Sequence, residues 1–394
     1  MLYQRLCLFL FASLPMIVQV RAGNLDSGVA ESAASAPNIT SQPMNETGTI
    51  GAQATFPVAA AGTAPLTYQW HKRGAVIAAA TNASYTMPAV SSTDNGATLV
   101  VTVRNRSGSV SSAPTILAVA APAPGTDVVT YKNDLARTGQ NLTEPILTPT
   151  NVAAATFGLL RQLPVDGKVD AQPLYLSALF VNGRFHNTVF AATEHDSVYA
   201  FEADSGATLW HVSLLGSGET PSDMLGCSQV EPEIGITATP VIDRTAGVHG
   251  VIYVVAMSKD AASNYHQRLH ALDVTTGTEL LHGPTTIAAT YPTTHGVATK
   301  FDPRQYEERA ALLLTGKTIY TTWTSHCDVK PYTGWIIAFN QSTLARSAIL
   351  NVGANGGGAG PGIWMGGGGP AADATGNIYL LTGNGPFFTS VAGS

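Results

Sequence analysis

The chain has 394 residues, of which 45% are hydrophobic and only 12% charged, and its formal net charge is −6. A low charged fraction combined with 39 Gly and 23 Pro is typical of extracellular all-β modules. No basic cluster accompanies the negative net charge, so the composition argues against a nucleic-acid partner.

The first 22 residues have the pattern of a secretory signal peptide. Arg5 precedes the apolar run 6–20, and the small residue Ala22 stands at the expected cleavage site. The run is about 15 residues long, shorter than the roughly 20 that a membrane-spanning helix needs. We therefore expect signal peptide 1–22 on a bacterial protein that is secreted, periplasmic or at the cell surface, with no transmembrane segment after cleavage.

Residues 36–120 alternate short strands with turn residues about every 8–12 positions, which is typical of a β-sandwich. The region resembles an immunoglobulin-like module of the bacterial surface type. Val58 and Val101 stand where such a module can carry its bridging cysteines, and we expect Trp70 to be buried against them. The resemblance implies a spacer or adhesion role. The Pro/Gly-rich residues 121–127 predict a linker.

The sequence after the linker contains a repeated β unit. The segment "VYAFEADSGATLW" at 198–210 aligns without a gap with "LHALDVTTGTELL" at 269–281 and "IIAFNQSTLARSA" at 336–348. The matching alanines lie 71 and then 67 residues apart. Each unit consists of short strands joined by turns, and one unit alone cannot cover its apolar faces. Repetition of this kind predicts a β-propeller.

The turn inside the unit has Gly206 and Gly277 in the first two copies but Leu344 in the third, so we expect the third turn to differ. Residues 128–394 accommodate about four units. Propellers close with about four to eight blades, and an unclosed one exposes edge strands. The fourth unit is incomplete, so we expect the chain to be part of a longer protein.

The repeat resembles that of quinoprotein (pyrroloquinoline quinone) propellers, in which a tryptophan at the position of Trp210 packs between neighbouring blades. The segment "YKNDLARTGQNLTEPILTPTNV" at 131–152 also resembles the first strand of quinoprotein dehydrogenases. The predicted fold class is therefore all-β: an immunoglobulin-like sandwich over 36–120, followed by an incomplete quinoprotein-like β-propeller of about four blades over 128–394.

Two segments near the end of the sequence resemble the quinone site of that family. In "GNIYLLTGNGP" at 376–386, Asn384 stands where the family supplies an Asn to the calcium ion that holds the quinone. In "GIWMGGGG" at 362–369, Trp364 matches the tryptophan on which the quinone rests. The resemblance implies that Trp364 and Asn384 bind the cofactor. The alternatives are that "TGNG" is simply a hairpin turn and that Trp364 is a core residue.

A third segment, "TIYTTWTSHCDVKPYTGWIIAF" at 318–339, matches the part of the family that carries a calcium-binding Glu. Asp328 lies one residue from that position, so the resemblance implies Asp328 and Asn384 as metal ligands. If it holds, Asp328, Trp364 and Asn384 converge at one end of the propeller, with side-chain oxygens of Asp328 and Asn384 within about 5 Å of each other. The family's catalytic Asp comes from a later blade, and no catalytic residue is assigned here.

Quinoprotein dehydrogenases often carry two adjacent cysteines in the segment that matches "LGCSQVEPEIGITATPVID" at 225–243. This chain has Cys227 followed by Ser228, so the vicinal disulfide ring cannot form. The resemblance places Cys227 and Cys327 in loops at the same end of the barrel, which implies a disulfide between them. Two buried free thiols are the alternative.

Other catalytic patterns are missing from the sequence: it contains no zinc-spaced His/Cys cluster and no G-x-S-x-G elbow. We interpret His195 as a solvated turn residue and the glycine-rich residues 353–369 as a loop over the propeller mouth. The predicted function is a binding or interaction scaffold for an unknown protein or carbohydrate partner. The alternative is a pyrroloquinoline quinone- and calcium-dependent dehydrogenase of alcohols or sugars, truncated before its catalytic base.

Overall fold

The computed structural model describes residues 34–49, 52–120, 127–142, 144, 147–153, 157–294, 296–356 and 360–385. Within these ranges the chain forms β-strands and short turns of 3-10 helix, so the protein is all-β as predicted. None of these helical turns is long and apolar enough to cross a bilayer. The predicted signal peptide 1–22, residues 121–126 of the linker and residues 386–394 lie outside the described residues.

The first region forms strand-rich sheets of immunoglobulin-like type. Its strands are β1 (Asn38–Ser41), β2 (Glu46–Thr49), β3 (Ala54–Pro57), β4 (Ala59–Ala61), β5 (Thr67–Lys72), β6 (Ala75–Val76), β7 (Ser84–Met87), β8 (Ala97–Asn105), β9 (Gly108–Ser111) and β10 (Thr115–Ala120). The larger sheet has the order β2-β10-β8-β5-β6, with β9 paired to β8, and the β2–β10 pairing is parallel. Strands β3 and β7 form a separate antiparallel pair, as do β1 and β4.

The core of this region is built around Trp70. Trp70 on β5 lies opposite Val101 on β8 and is fully buried, in one hydrophobic cluster with Val58. Its indole N–H donates a hydrogen bond to the carbonyl of Asn82 at 3.0 Å, so the polar atom of the buried ring is satisfied. The predicted burial of Trp70 is confirmed, and two valines occupy the space near it.

The second region begins with two antiparallel sheets. The first contains β11 (Leu174–Val181), β12 (Arg184–Ala192), β13 (Ser197–Glu202) and β14 (Thr208–Ser213), paired in chain order. The second contains β15 (Thr220–Pro221), β16 (Val241–Asp243), β17 (Val251–Lys259), β18 (Tyr265–Asp273) and β19 (Thr285–Thr286). A short pair, β20 (Thr290–Tyr291) and β21 (Thr299–Lys300), follows the second sheet.

A third sheet and a last short pair complete the described strands. The third sheet contains β22 (Tyr306–Glu307), β23 (Leu313–Thr315), β24 (Thr318–Ser325), β25 (Gly334–Asn340) and β26 (Arg346–Val352). The last pair is β27 (Ala371–Ala372) with β28 (Ile378–Tyr379). Single turns of 3-10 helix lie at Ser92–Asp94, His326–Asp328 and Ala354–Gly356.

The sheets pack face against face, and β17 shows how one strand serves two neighbours. Ile252 and Val254 belong to the hydrophobic cluster shared with the first sheet. Val251 and Tyr253, on the other face, belong to the cluster shared with the third sheet. Because side chains alternate along a strand, a continuous apolar run such as "VIYVVAM" fits a strand that is buried on both faces. The three aligned repeat copies fall on β13, β18 and β25, at corresponding places in their sheets.

The turn after each of these strands has the same backbone conformation in all three copies. Gly206, Gly277 and Leu344 all have positive φ, of 79°, 71° and 54°. In each case the backbone N–H donates to the carbonyl four residues earlier, at 2.7–2.9 Å. The prediction that the third turn differs is therefore wrong. Leucine disfavours this conformation, but the Leu344 side chain is fully buried in the core of the third sheet, and its burial offsets the backbone strain.

Arg137 connects the beginning of this region to its last strands. Its guanidinium donates to the carbonyls of Tyr131, Leu312 and Pro370, each at 2.9 Å. Burial lowers the pKa of Arg137 to about 10, so the group remains charged at neutral pH. Charge-assisted hydrogen bonds of this kind hold three distant chain segments in fixed relative positions.

Gly277 allows the first two sheets to approach each other. A Cβ atom at Gly277 would lie 2.7 Å from the ring of Trp210, and Trp210 donates its indole N–H to the carbonyl of Val274 at 3.0 Å. We predict that Gly277→Ala lowers the free energy of unfolding by about 1–3 kcal/mol more than Gly316→Ala. Gly316 also has positive φ, but nothing lies within 4 Å of its Cβ position, so only backbone strain is expected there. Equal losses in urea denaturation would contradict this packing.

Candidate functional site

Asp328 lies in the tight turn between β24 and β25 and is exposed. Its Oδ1 atom accepts hydrogen bonds from the side-chain N–H of Asn384, at 2.9 Å, and from the hydroxyl of Tyr332. Burial and the bond to Asp328 raise the pKa of Tyr332 to about 12, so the hydroxyl keeps its proton and acts as a donor. A carboxylate, an amide and a phenol thus form one network from two separate chain segments.

Asn384 and Trp364 are brought together by a short backbone ladder. Gly362 and Gly383 form an antiparallel bridge, with N–H to O distances of 3.0 and 2.8 Å. A Cβ at Gly383 would lie 3.3 Å from Cδ1 of Trp364, so the indole packs directly on the residue before Asn384. The ring of Trp364 is half-buried, and its N–H is buried without a hydrogen-bond partner. The structure therefore brings Asp328, Trp364 and Asn384 to one place.

Cys227 and Cys327 are joined by a disulfide, with their Cα atoms 6.1 Å apart. The bond links the loop after β15 to the turn that carries Asp328, because Cys327 immediately precedes Asp328. Both cysteines are partly exposed. The disulfide that the sequence resemblance implied is therefore present, and it lies beside the Asp328 turn.

His326, which precedes Cys327, makes a second connection between the same two loops. One ring nitrogen lies 2.8 Å from a carboxylate oxygen of Glu307, and the other lies 2.7 Å from the carbonyl oxygen of Met224. Both partners are acceptors, so the arrangement favours the doubly protonated ring. Burial alone lowers the pKa of His326, but the bonds to Glu307 and Met224 together raise it above its usual value.

A second group of ionisable side chains was not predicted from the sequence. Glu194 is fully buried beside Asp170, and Lys168 approaches Asp170 at 2.9 Å and Glu194 at 3.3 Å. Burial, followed by the hydrogen bond to Asp170, raises the pKa of Glu194 to about 8. A Glu flanked by polar residues in "ATEHDS" carries no sequence signal of burial; only the packing of residues 166–170 against it reveals the pair.

A cleft of about 490 Å³ opens beside the disulfide. It is lined by residues of both cross-linked loops and of the segment before β22: Leu225, Asp302, Arg304, Gln305, His326 and Val329. The exposed Asp302 and Arg304 offer it an acceptor and a charged donor. Two of the lining residues, His326 and Val329, belong to the turn that carries Asp328.

His195 lies in the connection between β12 and β13, where the sequence placed a turn. Its Nδ1 is 2.8 Å from a carboxylate oxygen of Glu233, and its side chain is 43% exposed. Within the described residues, the group of His, Cys and acidic side chains close enough to hold a metal is Cys227, His326 and Cys327, with ligand atoms within 4.8 Å of one another. The two sulfur atoms are bonded to each other, so in this form they are not thiolate ligands.

No protein-family model matches the sequence, and no curated protein matches it. Solved structures that match include the titin M10–obscurin-like 1 Ig complex, which is 24% identical, covers 23% of this chain and 98% of that chain, and has a TM-score of 0.21. Titin domain M7 is 27% identical over 22% of this chain and 97% of that chain, with a TM-score of 0.20. The tandem Ig repeats of Dlar are 18% identical over 22% and 49%, with a TM-score of 0.21.

The immunoglobulin-like character of the first region is shown by its own strand pairing and by its core around Trp70.

We predict that the contribution of His326 to stability depends on pH. Because the folded-state pKa is raised, the stabilisation is complete below the ordinary value of 6.5 and is lost as the pH rises through the folded-state value. The difference in free energy of unfolding between the wild type and His326→Asn should therefore shrink as the pH rises above about 6.5. His249→Asn, which removes a half-exposed partner of Asp273, is the control and should show a much smaller difference at every pH. A pH-independent His326 difference would contradict the two-acceptor arrangement.

Proposed function

We propose that residues 128–394 belong to a quinoprotein-like β-propeller of an exported bacterial protein, and that this propeller is a binding scaffold with a ligand site at Asp328, Trp364 and Asn384. The repeat falls on corresponding strands of three successive sheets, and those sheets pack face to face through shared cores. These observations support a propeller. The immunoglobulin-like region is then a spacer or adhesion unit.

The observation that carries the proposal is the hydrogen bond between Asp328 and Asn384, which are 56 residues apart in sequence, beside the indole of Trp364. An exposed carboxylate and amide next to a half-buried aromatic ring suit a sugar. The ring covers the apolar face of the sugar, while the polar groups bind its hydroxyls. Of the two partner classes that the sequence left open, this chemistry favours a carbohydrate.

We expect saturable binding heat when a neutral disaccharide such as cellobiose, maltose or diacetylchitobiose is titrated into the full chain. Asp328→Ala removes an acceptor and should weaken binding about tenfold, and Trp364→Ala should weaken it at least as much. Asp204→Ala is the matched control, because Asp204 is an exposed aspartate that is hydrogen-bonded to Asn187 at 3.1 Å. Failure of these sugars and of a broad glycan array to bind would contradict the carbohydrate assignment.

A second candidate function is the quinone- and calcium-dependent dehydrogenase, which the oxygen donors of the site support. Asp328 and Asn384 offer the carboxylate and amide oxygens that a calcium ion prefers. The 2.9 Å contact places the amide group of Asn384 near enough for its oxygen to face the same ion after rotation. Trp364, with its unpartnered N–H, would lie beside the bound quinone, which would supply the two-electron acceptor.

For this candidate, calcium added with pyrroloquinoline quinone should raise the melting temperature and change the absorbance spectrum of the quinone. Asp328→Asn should weaken calcium binding by at least about tenfold, because it removes the negative ligand. Asp204→Asn is again the control. Absence of both heat and thermal stabilisation on calcium titration would contradict the metal site and leave the scaffold proposal standing.

A further inference from the structure

The turn that carries Asp328 has a strained backbone. Cys327 and Asp328 are consecutive non-glycine residues with φ of 55° and 54°. The left-handed region is unfavourable for both, since each Cβ approaches the backbone closely. Such a conformation persists only where the surrounding structure determines it. The contacts around the turn therefore show what holds Asp328 in position.

One set of contacts holds this turn from its own sheet. The side-chain N–H groups of Gln305 donate to the carbonyls of Val329 and Pro331 at 2.7 and 2.8 Å. The backbone N–H of His326 donates to the carbonyl of Gln305 at 2.8 Å. These bonds position both ends of the turn and do not involve the side chain of Asp328.

A second set of contacts ties the turn to the loop at 224–227. The disulfide attaches Cys327, and the ring of His326 reaches the carbonyl of Met224. That carbonyl also accepts the backbone N–H of Cys227 at 2.8 Å, which closes a tight turn containing Leu225 at φ 49°. Two tight turns thus hold each other through one covalent bond and one hydrogen bond.

The two connections differ in their exposure to solvent. The side chains of His326 and Glu307 are only 3% and 1% exposed. Cys227 and Cys327 are both partly exposed. The two cysteines are therefore more open to a small thiol or phosphine than the enclosed histidine pair is. The disulfide is therefore the connection that a reductant in solution can cleave.

We propose that the Cys227–Cys327 disulfide is a redox latch that holds Asp328 against Asn384, so that cleaving it opens the site. The ligand affected is that of the proposed function, on which this part of the inference rests. The reductant is a thiol or a phosphine. One thiolate attacks a sulfur and forms a mixed disulfide as the first protein thiolate leaves. A second thiol attacks the small molecule's sulfur in the mixed disulfide and displaces the other protein sulfur, so the protein gains two electrons and two protons while the two small thiols leave as their own disulfide. A phosphine attacks one sulfur instead, and water then releases the second protein thiol and the phosphine oxide.

Hydrogen–deuterium exchange of the full chain tests the latch without requiring a ligand. After reduction with a phosphine, the amides of His326 and Gly383 should exchange at least about tenfold faster, while β8 and β17 remain unchanged. The double variant Cys227→Ser/Cys327→Ser should show the same local change without reductant. Ser228→Ala, next to Cys227, is the matched control and should keep the oxidised pattern.

Unchanged exchange at His326 and Gly383 in the reduced protein would contradict the latch. Faster exchange in β8 and β17 as well would also contradict it, because the disulfide would then stabilise the whole fold and not the site alone. Disaccharide titrations of both redox forms separate this inference from the proposed function. Local opening without sugar binding in either form contradicts the proposed function and supports the latch. Equal sugar affinity in both forms contradicts control of the ligand site.

Discussion

The guanidinium of Arg137 is the interaction on which the arrangement of the later chain depends. Its hydrogen bonds to the carbonyls of Leu312 and Pro370 hold the third sheet and the last strand pair against the segment that opens the region. The guanidinium is half-buried and charged. Loss of its hydrogen-bond partners would leave an unpaired cation in this place, which would be strongly destabilising. Trp364 and Asn384 lie before and after this strand pair in the sequence.

Much of the fold could be predicted because it depends on local patterns. The three aligned repeats have the short-strand and turn pattern of β units, and they identified real strands in corresponding places. Trp70 could be assigned to a core through the resemblance to an immunoglobulin-like module, and it is fully buried. The convergence of Asp328 and Asn384 was expected only through a family resemblance, because no spacing rule connects residues 56 positions apart.

The features that were missed depend on tertiary packing. Leu344 adopts a positive φ, which glycine favours, because its side chain is buried in the core. The stabilisation from that burial cannot be recognised in the turn sequence alone. Glu194 and Glu307 are almost fully buried, although acidic residues are rarely buried without partners. Their partners, Asp170 and His326, come from other segments. Burial of this kind depends on which loops meet, and a linear pattern does not contain that information.

A double-mutant cycle on the hydrogen bond between Asp328 and Asn384 tests whether these two residues form one site. The free energy of unfolding is measured by urea denaturation for the wild type, Asp328→Ala, Asn384→Ala and the double variant. Residues in contact should show a coupling energy of about 0.5–1.5 kcal/mol. A coupling of zero within error, with both single variants folded, would contradict the hydrogen bond between Asp328 and Asn384 and with it the shared site.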